Sequence, residues 1–152
     1  MSNIVAYHHD ENILSFEQVV TLVQKQMSFI GYRQSRDDVA VEIRNSMKAE
    51  SRSVFFIAYE EDVIAIGFAY GNICCGLETK GDYFWLNELY VSKDCRNQGL
   101  GSELLEYAQT WSKQQGCVYI ALVTHPNNPE AQAFYQSQGM ELEELVWVDK
   151  YL

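Results

Sequence analysis

Three residues, Glu60, Glu61 and Asp62, separate two β-rich runs at roughly 53–59 and 63–73, and so short a link leaves one arrangement for the strands it joins. Parallel strands need a crossover of a dozen residues or more, whereas antiparallel strands can share a tight turn. The middle of the chain therefore predicts an antiparallel hairpin. Its apolar stretches, "VFFIAY" (54–59) and "VIAIGFAY" (63–70), and a third, "CVYIALV" (117–123), read as strands. All fall short of the roughly 18 to 20 apolar residues that a membrane helix requires.

Around the hairpin the periodicity changes. Residues 3–8 read as a short strand. From Ser15 the apolar residues Phe16, Val19, Val20, Val23 and Met27 recur at helical spacing, Ser15 and Gln18 match a capping box, and Gly31 marks a stop. A second helix starts at Ser35, where Asp37 and Asp38 suit the positive end and Val39, Ile43 and Met47 form one stripe. The link "GYRQ" (31–34) joins the two. A strand at about 83–91 precedes a helix with Leu100, Leu104, Leu105, Ala108 and Trp111 on one face, which stops near Gly116. A strand at 118–124, a short helix at about 130–138 ending at Gly139, and one or two strands around "LVWV" within 140–152 complete the chain. This order predicts a single α+β domain over 1–152, in which a mostly antiparallel first half meets a strand-helix-strand crossover.

Charge narrows the partners. The chain has 11 basic and 21 acidic residues, a net charge of −10, which disfavours nucleic acid and anionic membrane surfaces and suits a cationic partner. The N-terminus lacks a basic start followed by an apolar core, so no secretory signal is expected and a cytoplasmic location is. Four cysteines (Cys74, Cys75, Cys95, Cys117) contain no C-x-x-C spacing; free, mostly buried thiols and no metal are expected.

The stretch "CRNQGLGSELLEY" (95–107) sets a cation and two glycines before a helix. A helix start has unpaired N–H donors and the positive end of the dipole, and a missing Cβ admits an anion to the backbone. A Walker A loop is excluded, because "GLGSEL" has no lysine. A dinucleotide fingerprint would need glycine where Leu104 stands and an acidic residue after "VYIALVT", and has neither.

The pattern R-x-x-G-x-G, supplied by Arg96, Gly99 and Gly101, resembles the pyrophosphate loop of the GCN5-related N-acetyltransferases (GNAT). "NPEAQAFYQSQGM" is similar to a later block of the family, N-x-x-A-x-x-F-Y-x-x-x-G-F, through Asn128, Ala131, Phe134, Tyr135 and Gly139, with Met140 as the one departure. "NELYVSKDCR" looks like the strand and loop leading into the pyrophosphate site, so the resemblance is specific from about 84 to 140. It implies a mixed, mostly antiparallel central sheet flanked by about four helices. It also implies that acetyl-coenzyme A (acetyl-CoA) is the acyl donor. The backbone of Gln98, Gly99, Leu100, Gly101 and Ser102 would bind its pyrophosphate, with Arg96 and Asn97 close by. Leu89, Tyr90 and Val91 would pair with the pantetheine arm, and an N–H there would polarise the thioester carbonyl. Asn128 would contact the same arm, Ala131, Phe134 and Tyr135 would belong to the cofactor-binding set with it, and Tyr135 would protonate the departing thiolate; by their place on the short helix, Ala131 and Phe134 should also face the core. Acceptor choice would lie in the first two helices and "GYRQ".

Glu88 shares a strand face with Phe84, Leu86 and Tyr90 by period-two counting, an awkward place for a charge. It is either the cross-strand partner of a lysine or arginine, or, as in enzymes of the resembled family, a base that takes a proton from the acceptor amine. His8, His9 and His125 read as loop or strand-end residues, the first two exposed, and Cys95 as a structural thiol. The expected activity is direct acetyl transfer to a primary amine of a small cationic molecule, polyamine-like or aminoglycoside-like. A protein N-terminus or lysine is the second acceptor class. A non-catalytic coenzyme A sensor and, last, a dinucleotide-binding oxidoreductase are the rivals. The "LVWV" tail suggests a homodimer.

Overall fold

The computed structural model describes residues 2–10 and 12–152, in two compact units that meet in sequence between Leu122 and Val123. In the first unit, strands β1 (Ser2–Tyr7), β2 (Ser53–Glu60), β3 (Ile64–Cys74), β4 (Tyr83–Val91) and β5 (Tyr119–Ala121) lie side by side in chain order. Each neighbouring pair is antiparallel except β4 and β5, which run parallel. Helix α3 (Leu100–Gln114) supplies the crossover that a parallel pair needs, while α1 (Phe16–Phe29) and α2 (Arg36–Ser46) occupy the connection from β1 to β2. The result is the α+β, mostly antiparallel architecture that the order of elements predicts. The hairpin forms with Glu61 and Asp62 both at positive φ, 51° and 63°, which suits a tight turn between twisted strands.

The sheet is covered on both faces. On one, Phe55, Ile57 and Tyr59 of β2 and Phe68 of β3 bury against Val19, Val20 and Leu22 of α1 and Val39 and Ile43 of α2. On the other, Phe56 of β2 meets Tyr107 and Trp111 of α3 and Phe84 of β4 edge-on, at centroid distances of 5.8, 5.5 and 6.0 Å. Neighbouring residues of β2 thus serve opposite layers, as strand alternation requires.

That alternation breaks in β4. Tyr70 of β3 pairs with Glu88, but Gly71 pairs with Leu86, so Asn87 is an extra residue and the strand is bulged. Side chains before and after an extra residue exchange faces. Phe84 and Leu86 consequently belong to the α3 face, whereas Glu88 and Tyr90 belong to the α1 face, where Tyr90 joins the core with Phe68. The simple count that groups Glu88 with Phe84 and Leu86 is corrected by this one residue; only Tyr90 remains its neighbour. Opposite the bulge a side chain on Gly71 is impossible without movement, because its Cβ would lie 2.3 Å from the Phe84 ring and 2.5 Å from the Trp85 carbonyl oxygen.

Other expectations change locally. Ser15 and Gln18 do not form a capping box: Ser15 has left-handed backbone angles and makes no side-chain cap. Its hydroxyl donates to the Val63 carbonyl, and Gln18 Oε1 accepts from the Ala65 N–H at 2.8 Å, so both side chains tie α1 to the start of β3. Ser35 does cap α2, accepting from the Asp38 N–H at 3.1 Å. β5 is confined to Tyr119–Ala121 rather than 118–124. Residues 141–152 form no strand, having no strand among the described residues to pair with their backbone, and Leu145, Val146, Trp147 and Val148 are exposed. Among the cysteines only Cys117 is buried, and Cys75 is exposed. His8 is half-buried, with Nδ1 2.9 Å from the Ser53 carbonyl oxygen, rather than exposed. Among the described residues no helix is long and apolar enough to cross a membrane. The second unit contains α4 (Pro129–Ser137).

Candidate active site

β4 runs into a single 3-10 turn, Lys93–Cys95, and then a loop that enters α3 at Gly99. Asn97 and Gly99 both have positive φ, 60° and 84°. Left-handed residues among ordinary ones turn successive N–H groups to one side, which makes an anion-binding concavity. The N-cap of α3 is Gly99, which has no side chain with which to cap the helix, so the donors of Leu100 and Gly101 stand at the positive end of the helix dipole. A methyl built on Gly99 would meet nothing within 4 Å; glycine supplies the backbone angle and an open approach. Arg96 Nε donates to the Val91 carbonyl at 2.9 Å, and its guanidinium lies over the Tyr90 ring, 5.3 Å from the centroid. The cavity beside it, about 640 Å³, is lined by Lys25 of α1, Tyr90, Lys93 and Arg96. None of residues 97–102 lines that cavity, so the fit to a diphosphate ester rests on the loop itself, a glycine-started helix with Arg96 at its approach.

The strand leading to this loop is open along one edge. β5 pairs only with Tyr83, Phe84 and Trp85 of β4, so Leu86–Val91 has no strand beside it on that side among the described residues. Unpaired backbone groups of an edge accept an extended chain as an added strand. Leu89 and Val91 are half-buried in this stretch and Tyr90 is buried, so the backbone is held by packing while no strand among the described residues pairs with this edge.

Glu88 stands on the same open stretch, half-buried on the α1 face. Burial pushes its carboxyl above the usual range, and a hydrogen bond from Gln26 of α1 pulls it partly back. Gln26 Nε2 donates to Glu88 Oε2 at 2.9 Å. The residue registered across the sheet is Tyr70, so the expected alternative of a lysine or arginine partner is not what the strand pairing provides. Gln26 is absent from the sequence expectations, although it left a signal. It falls four residues after Leu22 on the buried stripe of α1 and is only 8% exposed, a place where helical spacing calls for an apolar residue.

The remaining candidates come together on α4. Asn128 is the N-cap, its Oδ1 accepting from the Ala131 N–H at 3.1 Å, and Pro129 fills the first position, where a missing N–H costs nothing. Ala131, Phe134 and Tyr135 are half-buried rather than fully buried, and the rings of Phe134 and Tyr135 meet edge-on at 5.1 Å. The expected site therefore divides between two local assemblies: Glu88, residues 89–91 and residues 96–102 in the first unit, and Asn128, Ala131, Phe134 and Tyr135 in the second. Burial, Glu60 and Asp94 push the Cys95 thiol up, away from thiolate chemistry. His125 is exposed, its Nδ1 accepting from the Asn127 N–H at 3.1 Å.

Known proteins resemble this chain in sequence and in fold. Over 127 residues the chain is 28% identical to an aminoglycoside N(6')-acetyltransferase type 1 of Serratia marcescens, covering 78% of this chain and 83% of the relative. It is 32% identical over 56 residues to YhdJ, an uncharacterized N-acetyltransferase of Bacillus subtilis, a match that covers 37% of this chain and 39% of that protein. The solved structure of an aminoglycoside N-acetyltransferase in complex with CoA shares the fold, with a TM-score of 0.79 at 22% identity over 100% of this chain and 96% of that one. The model of the acetyltransferase (GNAT) family matches residues 16–140, spanning the open strand, the uncapped loop and α4, and the chain belongs to that family.

Proposed function

We propose that the chain transfers an acetyl group from acetyl-CoA to the primary amine of a small cationic molecule, polyamine-like or aminoglycoside-like, and that residues 1–152 act as one domain in doing so. Acetyl transfer to an amine is the chemistry of the family. The observation that carries the rest is the continuity of the unpaired edge of β4 with the uncapped start of α3, which matches an extended arm ending in a diphosphate. The acceptor class draws support from the net charge of −10 and from the aminoglycoside acetyltransferase of Serratia marcescens among the relatives.

The acyl-donor substrate supplies a thioester carbonyl open to attack. Arg96 and the N–H groups at Gly99, Leu100 and Gly101 hold its diphosphate, and Leu89, Tyr90 and Val91 pair with its arm and orient the carbonyl. A bond forms from the amine nitrogen to the carbonyl carbon as the carbon–sulfur bond breaks. Glu88 takes the proton that the nitrogen loses, and the Tyr135 hydroxyl gives one to the sulfur. Glu88 then passes a proton to solvent and Tyr135 regains one, so both return to their starting states.

Release of free thiol from acetyl-CoA, measured against polyamines, aminoglycosides and peptides bearing a free N-terminus or a lysine, tests this. Turnover with the small amines is expected. Turnover with peptides alone would transfer the assignment to a protein acetyltransferase, and coenzyme A binding without thiol release from any acceptor would make the chain a sensor.

A further inference from the structure

We infer that Gln26 is a positioning residue for Glu88: its buried side-chain amide fixes one carboxylate oxygen and leaves the other directed to the acceptor amine. This rests on Glu88 being the base. Gln26 lies on α1, is 8% exposed, and places Nε2 2.9 Å from Glu88 Oε2. Among the described residues no hydrogen bond is made to Oε1 of Glu88. A buried primary amide within an apolar stripe is costly unless it is bonded, and Gln26 gives one of its N–H donors to Glu88.

The chemistry of the pair explains why the residue is glutamine. A neutral donor orients a carboxylate and moderates its affinity for a proton without supplying a charge. Lysine or arginine at the same place would hold Glu88 ionised and weaken it as a base. Leucine would leave a half-buried carboxylate without a partner. Glutamine titrates nowhere in the working range, so Glu88 remains the member of the pair that gains and loses the proton. The other ionisable groups of that face are tyrosines: Tyr70 of β3, whose hydroxyl donates to Ser53 Oγ at 3.1 Å, Tyr90 of β4, which lies under Arg96, and the pair Tyr7 and Tyr59, whose hydroxyls lie 2.9 Å apart, with Tyr59 donating to the Leu14 carbonyl. Lys25 of α1 and Lys93 line the neighbouring cavity with Tyr90 and Arg96. Burial and Gln26 are the influences that set Glu88.

The test compares Gln26→Met, which keeps the length and removes the donor, with wild type, Glu88→Gln and the double variant. The acid limb of the kcat/KM profile of Gln26→Met is expected to move up by about one pH unit, a tenfold change in the ionisation constant for one lost hydrogen bond. The Glu88 carboxyl titration followed by carbon-13 NMR should move with it, and coenzyme A affinity should hold. Added to Glu88→Gln, Gln26→Met should change the profile no further, since the two act as a unit. An unmoved limb in Gln26→Met, in a protein where Glu88→Gln abolishes that limb, overturns the role of Gln26 while leaving the base in place. A limb that survives Glu88→Gln removes the base itself and the catalytic part of this inference with it, whatever the NMR titration does. Should Gln26→Met fail to melt cooperatively, Gln26→Asn, too short to reach Oε2, is measured against the same outcomes.

Discussion

Replacing Gly99 with alanine separates what glycine does for the fold from what it does for the ligand. Gly99 has φ 84° and ψ 1°, and the added methyl meets nothing within 4 Å, so the folded protein incurs no clash. The cost is that of a left-handed L-residue, about 1–2 kcal/mol, partly offset because alanine also restricts the unfolded chain by roughly 0.4–1 kcal/mol. A net loss near 1 kcal/mol should lower Tm by about 2–4 °C in a chain of this size. The ligand should suffer more. The methyl enters the open space through which an anion reaches the loop N–H groups, and losing one hydrogen bond to a charged oxygen costs about 1.5–3 kcal/mol, equivalent to roughly ten- to a hundredfold in Kd. Calorimetric titration with coenzyme A and, separately, with pantetheine, which lacks the diphosphate, reads this directly. Weakened coenzyme A binding with unchanged pantetheine binding is expected. Wild-type affinity for coenzyme A in a folded variant, or equal weakening of both ligands, would refute the diphosphate cradle.

Three further outcomes follow from the same structure. Tyr135→Phe removes the proposed proton donor and should lower kcat by roughly 10- to 1000-fold with little change in coenzyme A affinity; an unchanged kcat removes Tyr135 from the mechanism. Burial raises the folded pKa of Glu88 above its ordinary 4.5, so the native state binds more protons than the unfolded one in the window above that value, and stability falls as pH rises through it. Glu88→Gln should therefore lose about 10²- to 10⁴-fold in rate yet melt higher than wild type at neutral pH, with the gap closing as pH drops toward the ordinary value. Gly71→Ala puts Cβ 2.5 Å from the Trp85 carbonyl oxygen as well as against the Phe84 ring, and backbone cannot rotate away. Urea unfolding should show a loss of about 3 kcal/mol or more, well beyond Gly99→Ala, and similar losses in the two variants would contradict the bulge geometry.

Local signals carried most of the architecture. The short acidic link after Tyr59 forces a hairpin, although Glu60 belongs to β2 and the turn itself falls at 61–63, the Ser35 cap is made as its position predicts, and the glycines at 31, 99, 116 and 139 mark helix ends through positive φ. Whatever depends on a distant partner was less visible. Ser15 and Gln18 have the composition of a capping box, but Val63 and Ala65 compete for their side chains across the fold. The apolar run "LVWV" produces no strand among the described residues, since a strand exists only beside another. At the site, the loop was legible because its residues are contiguous, as was α4. The Gln26 to Glu88 bond joins residues 62 apart in sequence, and the face that Glu88 occupies depends on a register slip that no count along one strand contains.

Asn87 divides β4 into two half-strands with separate obligations. The half through Leu86 is committed to the hydrocarbon of α3, and the half from Glu88 onward to α1 and the reacting groups. Deleting that single residue would set Leu86 and Glu88 side by side opposite Gly71 and Tyr70, a regular ladder that keeps the carboxylate toward α1 and removes the bend that the bulge puts into the strand beside it. The extra residue therefore sets the course of the edge rather than the face of the carboxylate, and the buried Phe84 and Leu86 anchor the half-strand from which that bend departs.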